Sequence, residues 1–220
     1  MFSIESISNK LADKLVKEVN GDEEKRAVIA YGIFGMLQIG ISILLVIIFG
    51  AVFNILLESL IMSFSISILR KYSGGVHAST PNTCTVIGTL ICIIIPLMIS
   101  KILIGFKGVV IFGGIVFCIS YYLIYKLAPV DSPNKPIKKL ERRQKLKRKS
   151  IIILTIYLML VIGLLFLYKN SESRKLLLYC MCIYSGIIWQ VFSLTKLGHI
   201  VLGKLDFIFN KINMFITRRV

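Results

Sequence analysis

The sequence predicts an all-α integral membrane protein with six transmembrane helices, an amphipathic N-terminal helix and a half-embedded loop between helices 2 and 3. Of the 220 residues, 56% are hydrophobic, more than a soluble domain of this size needs. Several uncharged apolar runs are long enough to cross the ~30 Å hydrocarbon layer of a bilayer. Basic residues gather between these runs, with 27 Lys and Arg against 11 Asp and Glu. We therefore expect residues 1–220 to form a single polytopic membrane domain.

The first 26 residues are predicted to form an amphipathic helix. Apolar residues recur there at three- and four-residue steps, and charged residues occupy the positions between them. The apolar positions are Ile4, Ile7, Leu11, Leu15 and Val19. Such a helix lies in the headgroup region of a membrane or packs on another part of the protein, and the sequence leaves both interpretations open.

Six apolar runs follow the N-terminal helix, and we assign a span to each. They are residues 28–49, 51–69, 85–100, 108–125, 151–168 and 176–195. The first two are almost contiguous and predict a tight hairpin, while the third is short and contains Pro96. Helices 1–4 thus occupy residues 28–125 and are followed by a basic loop at 126–149. Helices 5 and 6 occupy residues 150–195, and an interfacial tail covers 196–220.

The placement of Lys and Arg predicts the orientation of these helices. With a cytoplasmic N-terminus, 22 of the 27 basic residues fall on the inner side, as the positive-inside rule requires. Both termini, the basic loop and the segment 70–84 are then predicted to be cytoplasmic, in a multi-pass protein of the cell membrane.

Residues 70–84 contain the candidate catalytic residues of the chain. They include His77 and Cys84, one of only two histidines and one of five cysteines. A cysteine is a nucleophile as the thiolate, and a nearby imidazole is the usual base that forms it. On one continuous helix these two residues would stand about 10 Å apart along the axis. Gly74, Gly75 and Pro81 disfavour such a helix, so the segment can fold back and bring the ring to the sulfur.

The start of the third span gives independent support for a reactive Cys84. Thr80 can cap a helix and Pro81 suits its first position. Cys84 would then lie at or just beyond the first turn, where the positive end of the helix dipole favours a thiolate. The alternative is a boundary histidine bonded to a carbonyl and a cysteine that fills space. The two residues together with the Gly-Gly and Pro positions favour catalysis.

Other residues are candidates for support. A third catalytic member could be Asn82, Ser73 or a backbone carbonyl. The intramembrane Glu58 could orient His77, pair with Arg70, or be a protonated carboxyl near the outer interface. Its position towards the middle or outer side of the span, with Arg70 at the inner end, disfavours direct contact with the catalytic pair. Gly74 and Gly75 either let backbone amides approach an oxyanion or only make the loop flexible.

The basic run is predicted to set topology and to bind anionic lipid or an acidic peptide. Its candidate contact residues are Lys135, Lys138, Lys139, Arg142 and Arg143. Nothing indicates a metal site, a cofactor or a nucleic-acid partner.

Two stretches give a resemblance to the accessory gene regulator protein B (AgrB) family of Gram-positive bacteria. One is Arg-Lys-Tyr-Ser-Gly-Gly-Val-His at 70–77, with Cys84 seven residues on. The other is Ala-Pro-Val-Asp-Ser-Pro-Asn-Lys-Pro-Ile at 128–137, after the fourth span. Length, basic charge and span layout agree over the whole chain.

The resemblance implies a membrane cysteine endopeptidase that processes a quorum-sensing peptide precursor, AgrD. The enzyme removes an acidic C-terminal tail and keeps the core as a thioester, from which a cyclic thiolactone forms. Carried onto this chain, the nucleophile is Cys84 and the base His77, while Arg70 and Gly75 match further required positions. A transporter or channel for a small peptide and a non-enzymatic scaffold are the rival interpretations. The oligomeric state, a homodimer included, is not readable from the sequence.

Overall fold

Eight helices make up the described part of the chain, with one isolated bridge and no strand. The computed structural model describes residues 4–18, 22–76, 80–131 and 139–217, without the side chains at 210 and 212–217. The helices are α1 Ile4–Glu18, α2 Glu23–Val52, α3 Leu56–Ser73, α4 Pro81–Lys101, α5 Phe106–Leu127, α6 Leu140–Ser171, α7 Arg174–Phe192 and α8 Lys196–Thr217. The predicted all-α class is confirmed.

Five of these helices, α2, α4, α5, α6 and α7, are long and apolar enough to cross a membrane. Four of the six predicted spans lie within α2, α4, α5 and α6, and a fifth, 176–195, overlaps α7 but extends three residues beyond its end at Phe192. The chain has the character of a multi-pass membrane protein. The predicted count of six is not confirmed. The remaining prediction, 51–69, corresponds to α3, whose 18 residues include Glu58, Arg70 and Lys71. Because α3 packs against α4, α6 and α7, protein surrounds much of it and its buried serines are tolerated.

The chain divides into two compact units, Met1–Leu45 and Val46–Val220. In the first unit, α1 has the predicted amphipathic pattern. The predicted extent of 1–26 is wrong, because α1 ends at Glu18 and α2 already begins at Glu23. Val19 lies outside the described residues. Arg26 Nε donates a hydrogen bond to Asp13 Oδ1 at 2.5 Å, which ties the start of α2 to α1.

In the second unit, α7 is the central helix, and small residues let its neighbours approach closely. A side chain at Gly113 of α5 would overlap the buried ring of Tyr184 on α7. A Cβ at Gly186 of α7 would lie 2.8 Å from Ser65 Cβ on α3. From α6, the Tyr157 hydroxyl donates to the Ser65 carbonyl at 3.1 Å. These contacts fix α3, α5, α6 and α7 relative to one another.

The basic segment 126–149 differs from the predicted loop. α5 continues to Leu127, and α6 begins at Leu140 and runs without a break into the apolar span. Leu, Lys, Arg and Gln dominate the first turns of α6, and all are strong helix formers. The basic residues from 142 to 149 are therefore presented on a helix.

Candidate active site

The site begins where α3 ends, at Gly74 and Gly75. The Gly74 N–H donates to the Arg70 carbonyl at 2.9 Å and closes the last turn. Gly74 has φ 70° and ψ −148°, and Gly75 has φ 128°. Residues with side chains rarely adopt these conformations. α3 therefore stops here, as predicted, and no continuous helix joins it to Cys84.

The end of α7 holds this turn from one side. Gln190 Nε2 donates to the Ser73 hydroxyl at 2.9 Å and to the Gly74 carbonyl at 2.7 Å. Two residues after the Gly74 carbonyl, the Val76 N–H donates to the Ser193 carbonyl at 3.3 Å. A Cβ on Gly75 would lie only 2.6 Å from Ser193 Oγ. The turn is thus packed tightly against α7.

The segment after α5 holds the turn from the other side. The Val130 N–H donates to the Ser73 carbonyl at 2.9 Å, and Gly74 and Val130 form the isolated parallel bridge. A Cβ on Gly74 would overlap the Val130 carbonyl oxygen. Pro129 is buried, and its carbonyl accepts a hydrogen bond from Arg143 Nη2 of α6 at 3.4 Å. The described parts of the two stretches that carried the family resemblance, residues 70–76 and 128–131, are therefore in contact.

Cys84 lies in the first turn of α4, where the sequence placed it. The Thr80 hydroxyl accepts a hydrogen bond from the Thr83 N–H at 3.2 Å, and Pro81 is the first helical residue. The Cys84 N–H donates to the Thr80 carbonyl at 3.1 Å. The predicted cap and first position are confirmed. Cys84 is half-buried and lies close to the positive end of the α4 dipole.

Arg70 is the positively charged residue that interacts with the Cys84 thiol. Its Nη2 donates to the Val76 carbonyl, and its Nε is buried without a partner among the described residues. Burial lowers the pKa of the Arg70 guanidinium, and the electrostatic interaction with Cys84 acts in the opposite direction. The two side chains are thus close enough to interact electrostatically, although 13 positions separate them in the sequence.

Several predicted site residues lie elsewhere or outside the described residues. His77, Lys135 and Lys138 fall outside the described ranges. Asn82 is exposed in the first turn of α4. Glu58 lies in the first turn of α3, 12 residues and about 18 Å along the axis from Arg70.

The remaining predicted residues surround the site. Ser73 is buried in it, and Lys139, Arg142 and Arg143 are exposed at the start of α6. Among the described residues, no three His, Cys, Asp or Glu side chains are grouped to hold a metal ion.

Basic and aromatic side chains pack beside the site. Lys147 of α6 lies 4.0 Å from the ring centre of Tyr125 on α5. Lys149 lies 5.4 Å from the ring centre of Tyr72, two residues before Gly74. Such cation–π contacts are attractive. They attach the basic turns of α6 to the same end of the protein as Cys84.

Gln190 and Ser193 are site residues that were not predicted from the sequence. A lone glutamine in an apolar helix was the available signal, because burying an amide is costly unless it is hydrogen-bonded. The partners of Gln190 lie 116 and 117 positions away in the chain, so no local pattern names them.

Comparison with known proteins yields one consistent group. The profile described as accessory gene regulator B matches residues 8–194. An AgrB-like protein of Clostridium perfringens strain 13 is 41% identical over 95% of this chain and 99% of its own. A second, from Clostridium perfringens strain SM101, is 39% identical over the same shares. An AgrB-like protein of Listeria monocytogenes serovar 1/2a is 26% identical over 90% of this chain and 91% of its own. No solved structure matches the chain.

Proposed function

The chain belongs to the accessory gene regulator B family, and on that premise we propose that it is a membrane cysteine endopeptidase acting on an AgrD-like precursor. Membership points to the accessory gene regulator quorum-sensing system. The proposed reaction removes the C-terminal tail of the precursor and leads to a cyclic thiolactone peptide. The observation that carries this proposal is the position of Cys84, in the first turn of a capped helix and in electrostatic interaction with the half-buried Arg70.

Cys84 is the proposed nucleophile. The α4 dipole and the Arg70 guanidinium both stabilise negative charge on its sulfur. The bonds from Gln190 and Val130 hold the turn that follows Arg70, so this charge is fixed in position rather than mobile. Fixed charges stabilise a transition state more effectively than solvent, because they need no reorganisation during the reaction.

His77 is the proposed acid–base. Cys84 Sγ attacks the carbonyl at the core–tail junction, a C–S bond forms, and the C–N bond breaks as His77 protonates the departing amine. The acyl-enzyme is a thioester. The thiol of the precursor's own cysteine then gives its proton to His77 and attacks this carbonyl, which closes the ring and releases the Cys84 thiolate. This exchange of one thioester for another is nearly balanced in energy, so water must be kept from the acyl group.

Gly75 is the proposed donor to the oxyanion. Gly75 is buried, and its N–H makes no hydrogen bond to any described residue. Buried backbone N–H groups are rarely left without a partner. An oxyanion that forms during attack would supply one.

The exposed basic residues are the proposed contact for an acidic tail and for anionic lipid. Lys139, Arg142 and Arg143 lie at the start of α6, and Lys135 and Lys138 precede them in the sequence. Each basic side chain close to an anionic surface contributes about 1 kcal/mol of attraction. The amphipathic leader of the precursor would lie in the same interface, which we propose to be cytoplasmic.

Coexpression with a tagged precursor tests this function. We expect wild-type protein to release the tail, and Cys84→Ala and His77→Ala to abolish release while accumulating normally in membranes. Cys92→Ala, which removes a buried cysteine further along α4, is the matched control and is expected to process the precursor. Unchanged cleavage by both active-site variants would contradict the proposal and favour transport of a peptide without proteolysis.

A further inference from the structure

Gln190 is a buried polar side chain that was not predicted from the sequence and that takes no part in the bond-making steps of the proposed reaction. It lies near the end of α7, in an apolar helix, and is 0% exposed. Its Oε1 has no hydrogen-bond partner among the described residues. An apolar side chain of similar length would avoid the cost of burying this oxygen. The amide therefore costs stability at this position, and the hydrogen bonds that its nitrogen donates are the feature that an apolar side chain would lack.

Both hydrogen bonds from the Gln190 nitrogen go to the end of α3. One goes to the Ser73 hydroxyl and the other to the Gly74 carbonyl. Ser73 already donates its own proton to the Leu69 carbonyl at 2.9 Å, so its oxygen is oriented to accept from Gln190. The amide thus fixes the peptide that joins Gly74 to Gly75, at the point where α3 reverses.

This turn determines where the reactive groups lie. Gly75 begins directly after the fixed carbonyl, and Val76 accepts the hydrogen bond from Arg70. His77 is the next residue in the sequence. A rotation of the Gly74–Gly75 peptide would turn the Gly75 N–H, which belongs to the same peptide. It would also change the direction in which the chain reaches Val76, whose carbonyl accepts the hydrogen bond from Arg70.

We propose that Gln190 is a positioning residue that holds the Gly74–Gly75 turn in its reactive conformation. This inference rests on the proposed function, because it assigns Gln190 a role in the same site. Gln190 acts through Gly75 and Arg70 and does not itself contact the reacting atoms.

The test uses the full-length protein in liposomes, an excess of enzyme over the AgrD-like precursor, and single-turnover kinetics. Gln190→Met keeps the length of the side chain and removes both donors. We expect the rate constant for tail release to fall about 10- to 100-fold, the size of effect caused by small misplacements of reactive groups. The amplitude should stay at the wild-type level, because the same fraction of enzyme is active. Ser59→Ala removes a buried hydroxyl at the far end of α3 and should leave both quantities unchanged.

A loss of amplitude with an unchanged rate constant would show a merely structural role and overturn the inference, as would no effect at all. If Gln190→Met does not accumulate, Gln190→Glu replaces it. A carboxyl group offers at most one donor for the two acceptors, so a smaller fall in the rate constant is expected, and an unchanged value overturns the inference.

The failure of the proposed function is distinguishable from the failure of this inference. If wild-type protein releases no tail, the endopeptidase proposal fails, and alkylation of Cys84 by iodoacetamide then decides the role of Gln190. Slower alkylation in Gln190→Met supports the positioning role, and an unchanged rate overturns it.

Discussion

At the residue scale, two glycines and one arginine define the reactive end of the chain. Gly74 and Gly75 combine backbone angles that disfavour side chains with neighbours that leave no space for one. Conformation and packing therefore select glycine independently at both positions. Arg70 depends on this turn, because the carbonyl that accepts its hydrogen bond belongs to Val76.

We expect Gly74→Ala to abolish processing. The backbone conformation of Gly74 costs about 1–3 kcal/mol for a residue with a side chain. The added Cβ also meets the backbone carbonyl of Val130, which cannot rotate away as a side chain could. Processing and membrane accumulation are measured together. Gly163→Ala on α6 is the control, because nothing lies within 4 Å of its Cβ position. Full activity of Gly74→Ala would contradict the described turn.

We expect Arg70→Gln to slow alkylation of Cys84 by iodoacetamide and to lower tail release about 100-fold, the typical effect of removing one electrostatic group from an active site. The reason is the loss of the positive charge that stabilises the sulfur anion. Cys118→Ala is the background for the alkylation, because Cys118 is exposed on α5, unlike Cys92, Cys180 and Cys182.

The matched control for Arg70→Gln is Lys71→Gln, which removes the same charge from the adjacent exposed position. It should leave both rates close to wild type. Equal effects of the two changes would mean that only the net charge of this end matters, and the specific role of Arg70 would be wrong.

At the element scale, α4 was predictable because its start is local in sequence. Thr80, Pro81 and Cys84 lie within five residues, and a cap followed by proline indicates a helix start by itself. α3 was harder to interpret. Its serines and charged residues lower its apolar character. They are accommodated because α3 packs against α4, α6 and α7, which follow later in the chain. The prediction of a loop over 126–149 was wrong at both ends, because basic residues mark a membrane boundary but do not end a helix.

We expect Thr80→Ala to loosen the first turn of α4 and reduce tail release. Loss of an N-cap hydroxyl costs about 1 kcal/mol of helix stability, and Cys84 lies in the turn that this cap holds. Hydrogen exchange at the amides of residues 83–85 measures the loosening directly. Thr80→Ser keeps the capping oxygen and should behave as wild type. If both variants exchange at the same rate, the cap does not hold the turn.

We expect the exposed basic face of α6 to govern precursor affinity rather than chemistry. Arg142→Glu, Lys145→Glu and Arg148→Glu together should raise KM several-fold, leave kcat unchanged, and lose their effect at high salt, because exposed charges are screened. A precursor with a basic tail should recover affinity for this variant. The control is Lys107→Glu with Lys175→Glu, both exposed near the other end of the helices. A fall in kcat instead of a rise in KM would contradict a docking role.

At the scale of the whole molecule, the ends of five helices assemble the site. The C-terminal ends of α3, α5 and α7 meet the N-terminal end of α6 through Gly74, Val130, Gln190 and Arg143. The start of α4 joins them through the electrostatic interaction of Cys84 with Arg70. The sequence placed Cys84 at the start of α4 because a local cap marks that start. It could not supply the residues that hold the Gly74–Gly75 turn, because hydrogen bonds across more than 100 positions leave no local pattern.

Because the site lies at the N-terminal end of α6, locating that end relative to the membrane also locates the site. α6 has 32 residues and is about 48 Å long, against ~30 Å for the hydrocarbon layer. We therefore expect its basic turns to extend beyond the membrane on the side of the site, and its other end, near Glu172, to lie on the opposite side. Since basic segments are retained in the cytoplasm, we expect the site to face inward, where a newly made precursor is available.

Single cysteines in a background without the five native ones test this orientation. In intact cells, a maleimide that cannot cross the membrane should label Glu172→Cys and not Lys145→Cys, because these positions lie at opposite ends of α6. A permeant maleimide should label both, which controls for the reactivity of each position. Inverted membrane vesicles should reverse the pattern. Labelling of Lys145→Cys from outside would put Cys84 on the outer face, where an uncleaved cytoplasmic precursor could not reach it, and the proposed reaction would lose its substrate.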